Sequence, residues 1–262
     1  MEDPEKLKVM GIFEHLDELR SRLIKSMLVL IAMFCVCYYF APQILDFLRQ
    51  PLVGVLPRGT PSLYFTGPMD VFTANVKLGF FTALIISCPI WLYQLWKFLE
   101  PALYEREKKY VLPFMFSSIT LFLAGVALCY YMILPLALEY LIGLGTEMGT
   151  TPIITISDYL SLIMLMMAAF GAVFETPVIL VMLALLDLIT AQTLRDNRKI
   201  VIVIIVIVAA VLTPTPDPMS QLAMAIPTWL LFEGSIVLIA WLQRSKDKAA
   251  AREKVKDKVK EA

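Results

Sequence analysis

The sequence predicts an all-α polytopic membrane protein: six transmembrane helices, with the N-terminus and C-terminus both cytoplasmic. Three observations carry this. Of the 262 residues, 59% are hydrophobic and the mean hydropathy is +0.74, above the roughly 45–50% apolar share of soluble domains. The apolar residues fall in long blocks of the kind that span a membrane. Lys and Arg gather in alternate inter-block segments, the bias that orients membrane proteins.

Residues 1–22 form the first segment, cytoplasmic and amphipathic. Ile12, Leu16, Leu19 and Leu23 recur at helical spacing and make one apolar stripe, while Glu14, Asp17, Glu18 and Arg22 cover the other faces. A short helix is expected here, lying on the inner surface and running into span one. Both charge signs precede the first apolar block, unlike the short basic region of a cleavable signal. That block is therefore expected to stay as a span.

The six spans of a membrane domain, 23–242, are expected at about 23–42, 76–96, 111–138, 158–186, 200–213 and 220–242. A helix needs about 20 residues at ~1.5 Å each to cross a ~30 Å core. The second block is marginal and the fifth reaches only roughly 21 Å. Residues 243–262 form a charged cytoplasmic tail, either a solvated helix or disordered.

Orientation follows from the basic residues. Lys6, Lys8, Arg20, Arg22 and Lys25 precede or open span one; Lys97, Arg106, Lys108 and Lys109 follow span two; Arg195, Arg198 and Lys199 follow span four; eight more lie between Arg244 and Lys260. The remaining three, Arg49, Arg58 and Lys77, are assigned to the outer segment between spans one and two. That segment is punctuated by Pro51, Pro57, Gly59, Pro61, Gly67 and Pro68, which marks an ordered cap.

The chemistry is restricted. His15 is the single histidine, so a His-rich metal site and an HExxH motif are excluded. No P-loop is present, and Cys35, Cys37, Cys88 and Cys129 all sit in apolar blocks as small hydrophobes. No metal or cofactor is expected, no nucleic-acid partner, and no enzyme activity, because no nucleophile–base pair is written in the spans. For Glu18, spacing alone gives an i,i+4 ion pair with Arg22; the functional alternative is a carboxylate presented to a basic partner.

Glu175 and Glu233 interrupt the fourth and sixth blocks. A charge at the bilayer centre costs at least ~2.5–3.5 kcal/mol, so such residues mark partners, cavities or pathways. Pro177 should leave the carbonyl of Val173 without its helical donor. With no Lys or Arg read into any span interior, Glu175 is either protonated at rest or awaits a donor from outside. A proton-coupled small-solute transporter would use both carboxylates. The absence of an internal repeat weighs against it.

The segments HLDELRSRL, YQLWKFLEPALYEREKK, FGAVFETP, LTPTPD and QLAMAIP, in this order from Phe13 to about Trp241, together resemble the TatC family, the polytopic core of the twin-arginine protein translocase. The resemblance implies a receptor and scaffold that exports folded precursors across the bacterial inner membrane with the proton motive force. Glu18 and Glu107 match family carboxylates linked to the Arg-Arg pair of signal peptides, with Glu105 beside Glu107 as an alternative contact. Arg20, Phe98, Pro101 and Tyr104 match positions near that site, and Pro51 one in the outer cap. Glu175 matches the intramembrane glutamate. Thr213, Asp217 and Gln221 match a polar cluster that docks the single-span partners TatA and TatB. Membrane lipids and further copies of the chain complete the implied partners.

Overall fold

A computed structural model of the protein describes residues 11–56, 63–102, 111–213 and 218–261. Among these residues the regular structure is helical, apart from an isolated bridge between Tyr64 and Thr155. Helix α1 (Ile12–Tyr39) is one unbroken rod of 28 residues. It contains no Pro or Gly, so nothing separates the amphipathic stripe from the first span. The lead-in is continuous with the span and does not form a helix of its own.

Two short helices, α2 (Ala41–Leu48) and α3 (Gln50–Val55), follow as the outer cap. Each carries a proline in its first turn, Pro42 and Pro51, where the missing N–H costs nothing. Helix α4 (Pro68–Ile86) starts well before the expected residue 76. Its first half is polar at Asp70, Thr73, Asn75 and Lys77, which hid it from an apolar-block reading. Its start is fixed by Pro68 and by Asp70, which accepts from Thr66 N at 2.8 Å and from the Thr66 hydroxyl. Lys77 therefore stands midway along an apolar 19-residue helix, level with the outer end of α1, where Gly79 packs on Tyr38.

The chain breaks at Ser87 and continues as α5 (Cys88–Leu99), ending in a 3₁₀ turn at Glu100–Ala102. Helix α6 (Val111–Leu128), a π turn at Cys129–Ile133 and α7 (Leu134–Glu147) make one long rod. The π turn stands just before Pro135, whose ring cannot be accommodated by the helix ahead of it. Helix α8 (Ile156–Phe174) is capped by Thr155, whose hydroxyl accepts from Asp158 N at 3.1 Å. It breaks at Glu175 and resumes as α9 (Thr176–Leu185).

Next come α10 (Ala191–Asp196), α11 (Arg198–Leu212) and α12 (Pro218–Glu261). Among the described residues five stretches are long and apolar enough to cross a membrane: Phe13–Tyr39, Pro68–Ile86, Val111–Glu147, Ile156–Leu185 and Ser220–Arg244. Helix α11, with 15 residues, rises about 22 Å and is the short sixth crossing.

The rods α6 and α8 cross at two reciprocal glycines. A Cβ on Gly125 would lie 2.7 Å from the carbonyl oxygen of Phe170 and 2.8 Å from Phe174 Cγ; one on Gly171 would lie 2.8 Å from Phe122 Cε2. Two tyrosines tie this pair to the outer cap. Tyr130 donates to Phe47 O and Tyr159 to Leu48 O, both at 2.6 Å. On the opposite side, Leu185, Ala191 and Leu194 pack with Ile239 and Leu242. Ala191 N donates to Gln243 Oε1 at 3.2 Å, so α10 fills the space beside the inner end of α12 that the short α11 leaves.

Candidate functional site

Two carboxylates organise the candidate positions. Glu18 and Glu175 each keep one buried oxygen, Glu18 Oε2 and Glu175 Oε1, without a hydrogen-bond partner among the described residues. A buried, unpaired carboxylate oxygen is costly. Each is an acceptor left open.

Glu18 lies one turn before Arg22 on α1. Arg22 Nε donates to Glu18 Oε1 at 3.0 Å and Arg22 Nη2 contacts the same oxygen, so the i,i+4 pair read from spacing is present. The side chains are 19% and 21% exposed, and Arg22 Nη1 reaches Gln94 Oε1 on α5 at 3.4 Å. A second contact joins the same helices: the His15 ring stacks on Phe98 with centroids 4.3 Å apart. His15 is thus a packing element rather than surface filler. Arg20 is exposed and Pro101 half-buried in the 3₁₀ turn. Lys97 donates to Glu100 Oε2 at 2.8 Å, and that carboxylate raises the pKa of the ammonium above its ordinary range. Glu107 and Tyr104, with Glu105, lie outside the described residues.

Glu175 closes α8 and opens α9. Its backbone carbonyl accepts from Val178 N and Ile179 N at 3.0 Å. Its Oε2 accepts from Ser118 Oγ on α6 at 2.5 Å. The glycine crossing brings α6 and α8 close enough for this bond. The carbonyl of Val173 is not left open as Pro177 alone would leave it: Thr176 Oγ1 donates to it at 2.6 Å. Ser118 and Thr176 were absent from the sequence reading. Thr176 was discoverable, because a hydroxyl beside a helix-breaking proline can bond back three residues. Ser118 carried no signal, being 57 residues away.

Glu233 differs from Glu175. Arg198 Nη2 donates to its Oε2 at 2.7 Å, so Glu233 has a basic partner at the start of α11. Arg198 opens the short α11, whose inner end reaches only to the level of Glu233 on α12. Eleven residues, about 16 Å of helix, separate Glu233 from Arg244. A basic residue counted as inner loop thereby meets the interior of span six.

At the other end of this hairpin, Thr213 is buried and donates to Ala209 O at 2.8 Å, and Gln221 Nε2 reaches Val206 O at 3.1 Å. Thr213 ends α11 and Gln221 lies in the first turn of α12; Asp217 lies outside the described residues. Pro51 is half-buried in α3, far in the fold from the carboxylates. Among the described residues no cluster of His, Cys, Asp or Glu suits a metal.

A family model described as TatC, Sec-independent protein translocase protein, matches residues 14–227. The Sec-independent protein translocase protein TatC of Koribacter versatilis is 39% identical over 95% of this chain and 92% of its own. Those of Aquifex aeolicus and Escherichia coli K12 are 37% and 38% identical, over 87% and 85% of this chain and 94% and 85% of theirs. A crystal structure of the twin arginine translocase receptor TatC matches with a TM-score of 0.74 at 37% identity, covering 87% of this chain and 99% of that one. None of these supports the solute-transporter alternative. With a family match over residues 14–227, relatives near 40% identity and the same fold, the chain belongs to the TatC family of Sec-independent protein translocase proteins, multi-pass proteins of the inner membrane.

Proposed function

We infer that this chain is the signal-peptide receptor and core scaffold of a twin-arginine translocase. It moves folded precursors across the bacterial inner membrane with the proton motive force and is not itself an enzyme. The observation that carries the reading is the open Oε2 of Glu18 beside a partly buried Arg22. A carboxylate offers about four acceptor sites, and Arg22 engages only Oε1. Oε2 is covered as it stands, so an incoming guanidinium takes it as a planar donor by displacing that cover. Arg22 already offsets the charge, so an ammonium, a point charge with no fork, gains little. Selection then rests on geometry.

Glu107 is the second carboxylate for the arginine pair, with Arg20, Phe98, Pro101 and Tyr104 shaping the approach. Residues 1–22 and the tail 243–262 flank the membrane domain, 23–242, on the inner side, and Pro51 belongs to the outer cap. Glu175 serves a later step, its open Oε1 receiving a polar group from a signal peptide or partner helix. Thr213, Asp217 and Gln221 mark the docking edge for TatA- and TatB-like single-span subunits, and several copies of the chain share the assembly among membrane lipids.

The test is binding of an Arg-Arg signal peptide against its Lys-Lys variant. Wild type should prefer Arg-Arg, and Glu18→Ala and Glu107→Ala should each weaken that binding. Unchanged crosslinking of a precursor to both variants sinks the assignment. Glu175→Gln should keep first contact and lose transport; full transport by Glu175→Ala refutes its role.

A further inference from the structure

Lys77 is a cation that the fold places at the outer level of the second crossing. Among the described residues it forms no ion pair; its ammonium reaches only the exposed Ser161 Oγ, at 3.5 Å. Asp70, two turns outward on the same helix, is engaged by Thr66 and attracts the Lys77 ammonium more weakly than it binds Thr66. An ammonium on a membrane-facing helix extends toward the headgroup layer. The level is readable: a Cβ on Gly79 would lie 3.1 Å from Tyr38 Cα, so Lys77, two residues outward of Gly79, stands beside the outer end of α1. Tyr38 and Tyr39 there are exposed aromatics, as expected at a headgroup boundary.

Beside Lys77 runs an apolar groove of about 370 Å³ between α1 and α4, walled by Met27, Ile31, Phe34, Val76 and Phe80. The α1 residues of its wall descend from Phe34 to Met27, toward the bilayer centre. One open cation at headgroup depth above an apolar groove pointing into the hydrocarbon matches one amphiphile: an acidic phospholipid.

We propose that the α1–α4 groove is a binding site for an anionic phospholipid of the outer leaflet, with its phosphodiester on Lys77 Nζ and Ser161 Oγ and an acyl chain against Ile31 and Phe34. The charge complementarity chooses the occupant. The groove itself is wholly apolar, Lys77 lining it with its methylene stem while Nζ turns to Ser161, so a zwitterionic lipid, which carries its own ammonium beside the phosphate, gains less there. The site lies between α1 and α4 and is independent of the arginine-recognition reading.

The experiment uses the full chain in nanodiscs of equal phosphatidylglycerol and phosphatidylcholine, with bound lipid read by native mass spectrometry after release into mild detergent. Wild type should retain phosphatidylglycerol in preference to phosphatidylcholine. Lys77→Gln should lower its retention about fivefold, the share of one basic residue at a charged headgroup, and Lys77→Arg should restore it. Ile31→Trp, which fills the groove, should lower retention with the charge intact. Thermal unfolding of each variant checks the fold. Equal retention of the two lipids, or full retention by Lys77→Gln, overturns the proposal. So does displacement by glycerophosphoglycerol as effective as by the whole lipid, which would make it a free-phosphate site. A second protein copy covering the groove in place of lipid overturns it too.

Discussion

The glycine crossing of α6 and α8 gives the sharpest test of the packing, because its two halves should respond differently to the same substitution. In Gly125→Ala the new methyl would lie 2.7 Å from Phe170 O and 2.8 Å from Phe174 Cγ, where ordinary contact begins at 3.4 Å. A backbone oxygen within a helix cannot step aside, so the rods must part by about 0.7 Å, the shortfall in that contact. Overpacking of this kind costs ~1–3 kcal/mol, and the intrinsic helix gain of Gly to Ala returns about 1 kcal/mol. The net loss should be up to about 2 kcal/mol. In Gly171→Ala the obstacle is the edge of the Phe122 ring, at 2.8–3.2 Å, which can rotate away. The helix gain should then roughly cancel the cost. The assay is reversible unfolding in mixed micelles by titration with a denaturing detergent. In a double-mutant cycle Phe174→Ala, which removes Cγ and keeps Cβ, should couple favourably with Gly125→Ala but recover only part of its loss, because the carbonyl contact remains. Adding Phe122→Leu should remove whatever loss Gly171→Ala shows. Equal stability of the two alanine variants would refute the reasoning, since it would mean that backbone and ring obstacles cost the same.

Four further outcomes follow from the same geometry. Tyr159→Phe should destabilise by about 1–3 kcal/mol, because it leaves the carbonyl of Leu48 buried and unpaired, and Tyr130→Phe by less, since its bond is only partly buried; equal losses in unfolding titrations would count against this. Ser118→Ala strips Glu175 of its one side-chain donor among the described residues and should cost about 1–3 kcal/mol, measured the same way, with no loss speaking against the bond. The half-exposed Arg198–Glu233 pair should couple by only ~0–1 kcal/mol in a double-mutant cycle; a larger coupling would place the pair in a drier setting than its exposure indicates. Extending α11 by one turn of Leu should reduce export, since a helix that matches the ~30 Å core no longer thins the bilayer locally; normal export would remove that role.

Much of the architecture is legible in one dimension because hydrocarbon imposes a length. Spans one, three, four and six follow from block length alone, and the break at Glu175 follows from Pro177. Helix α4 shows where that reading fails. Asp70, Asn75 and Lys77 make its outer half look like loop, yet a helix that rises beyond the membrane surface tolerates them. Pairings between distant segments leave no periodic trace: Ser118 with Glu175 spans 57 residues and Arg198 with Glu233 spans 35. Arg198 counts correctly toward the inner side, but counting cannot show that a short α11 carries it inward to span six. Glu18 was legible both as the partner of Arg22 and as a candidate receptor group. Its remaining open oxygen is a property of burial, which sequence does not encode locally.

The tyrosine bonds to the outer cap also carry a timetable. The carbonyls of Phe47 and Leu48 are made early in synthesis, while the hydroxyls that satisfy them arrive 83 and 111 residues later. The first outer segment to cross therefore cannot lock until the third and fourth rods are inserted and crossed at their glycines. A nascent chain halted before Tyr130 would carry a complete α2 and α3 with neither tyrosine bond to hold them, and protease added from the outer side should cut there more readily than after the third and fourth rods are in place.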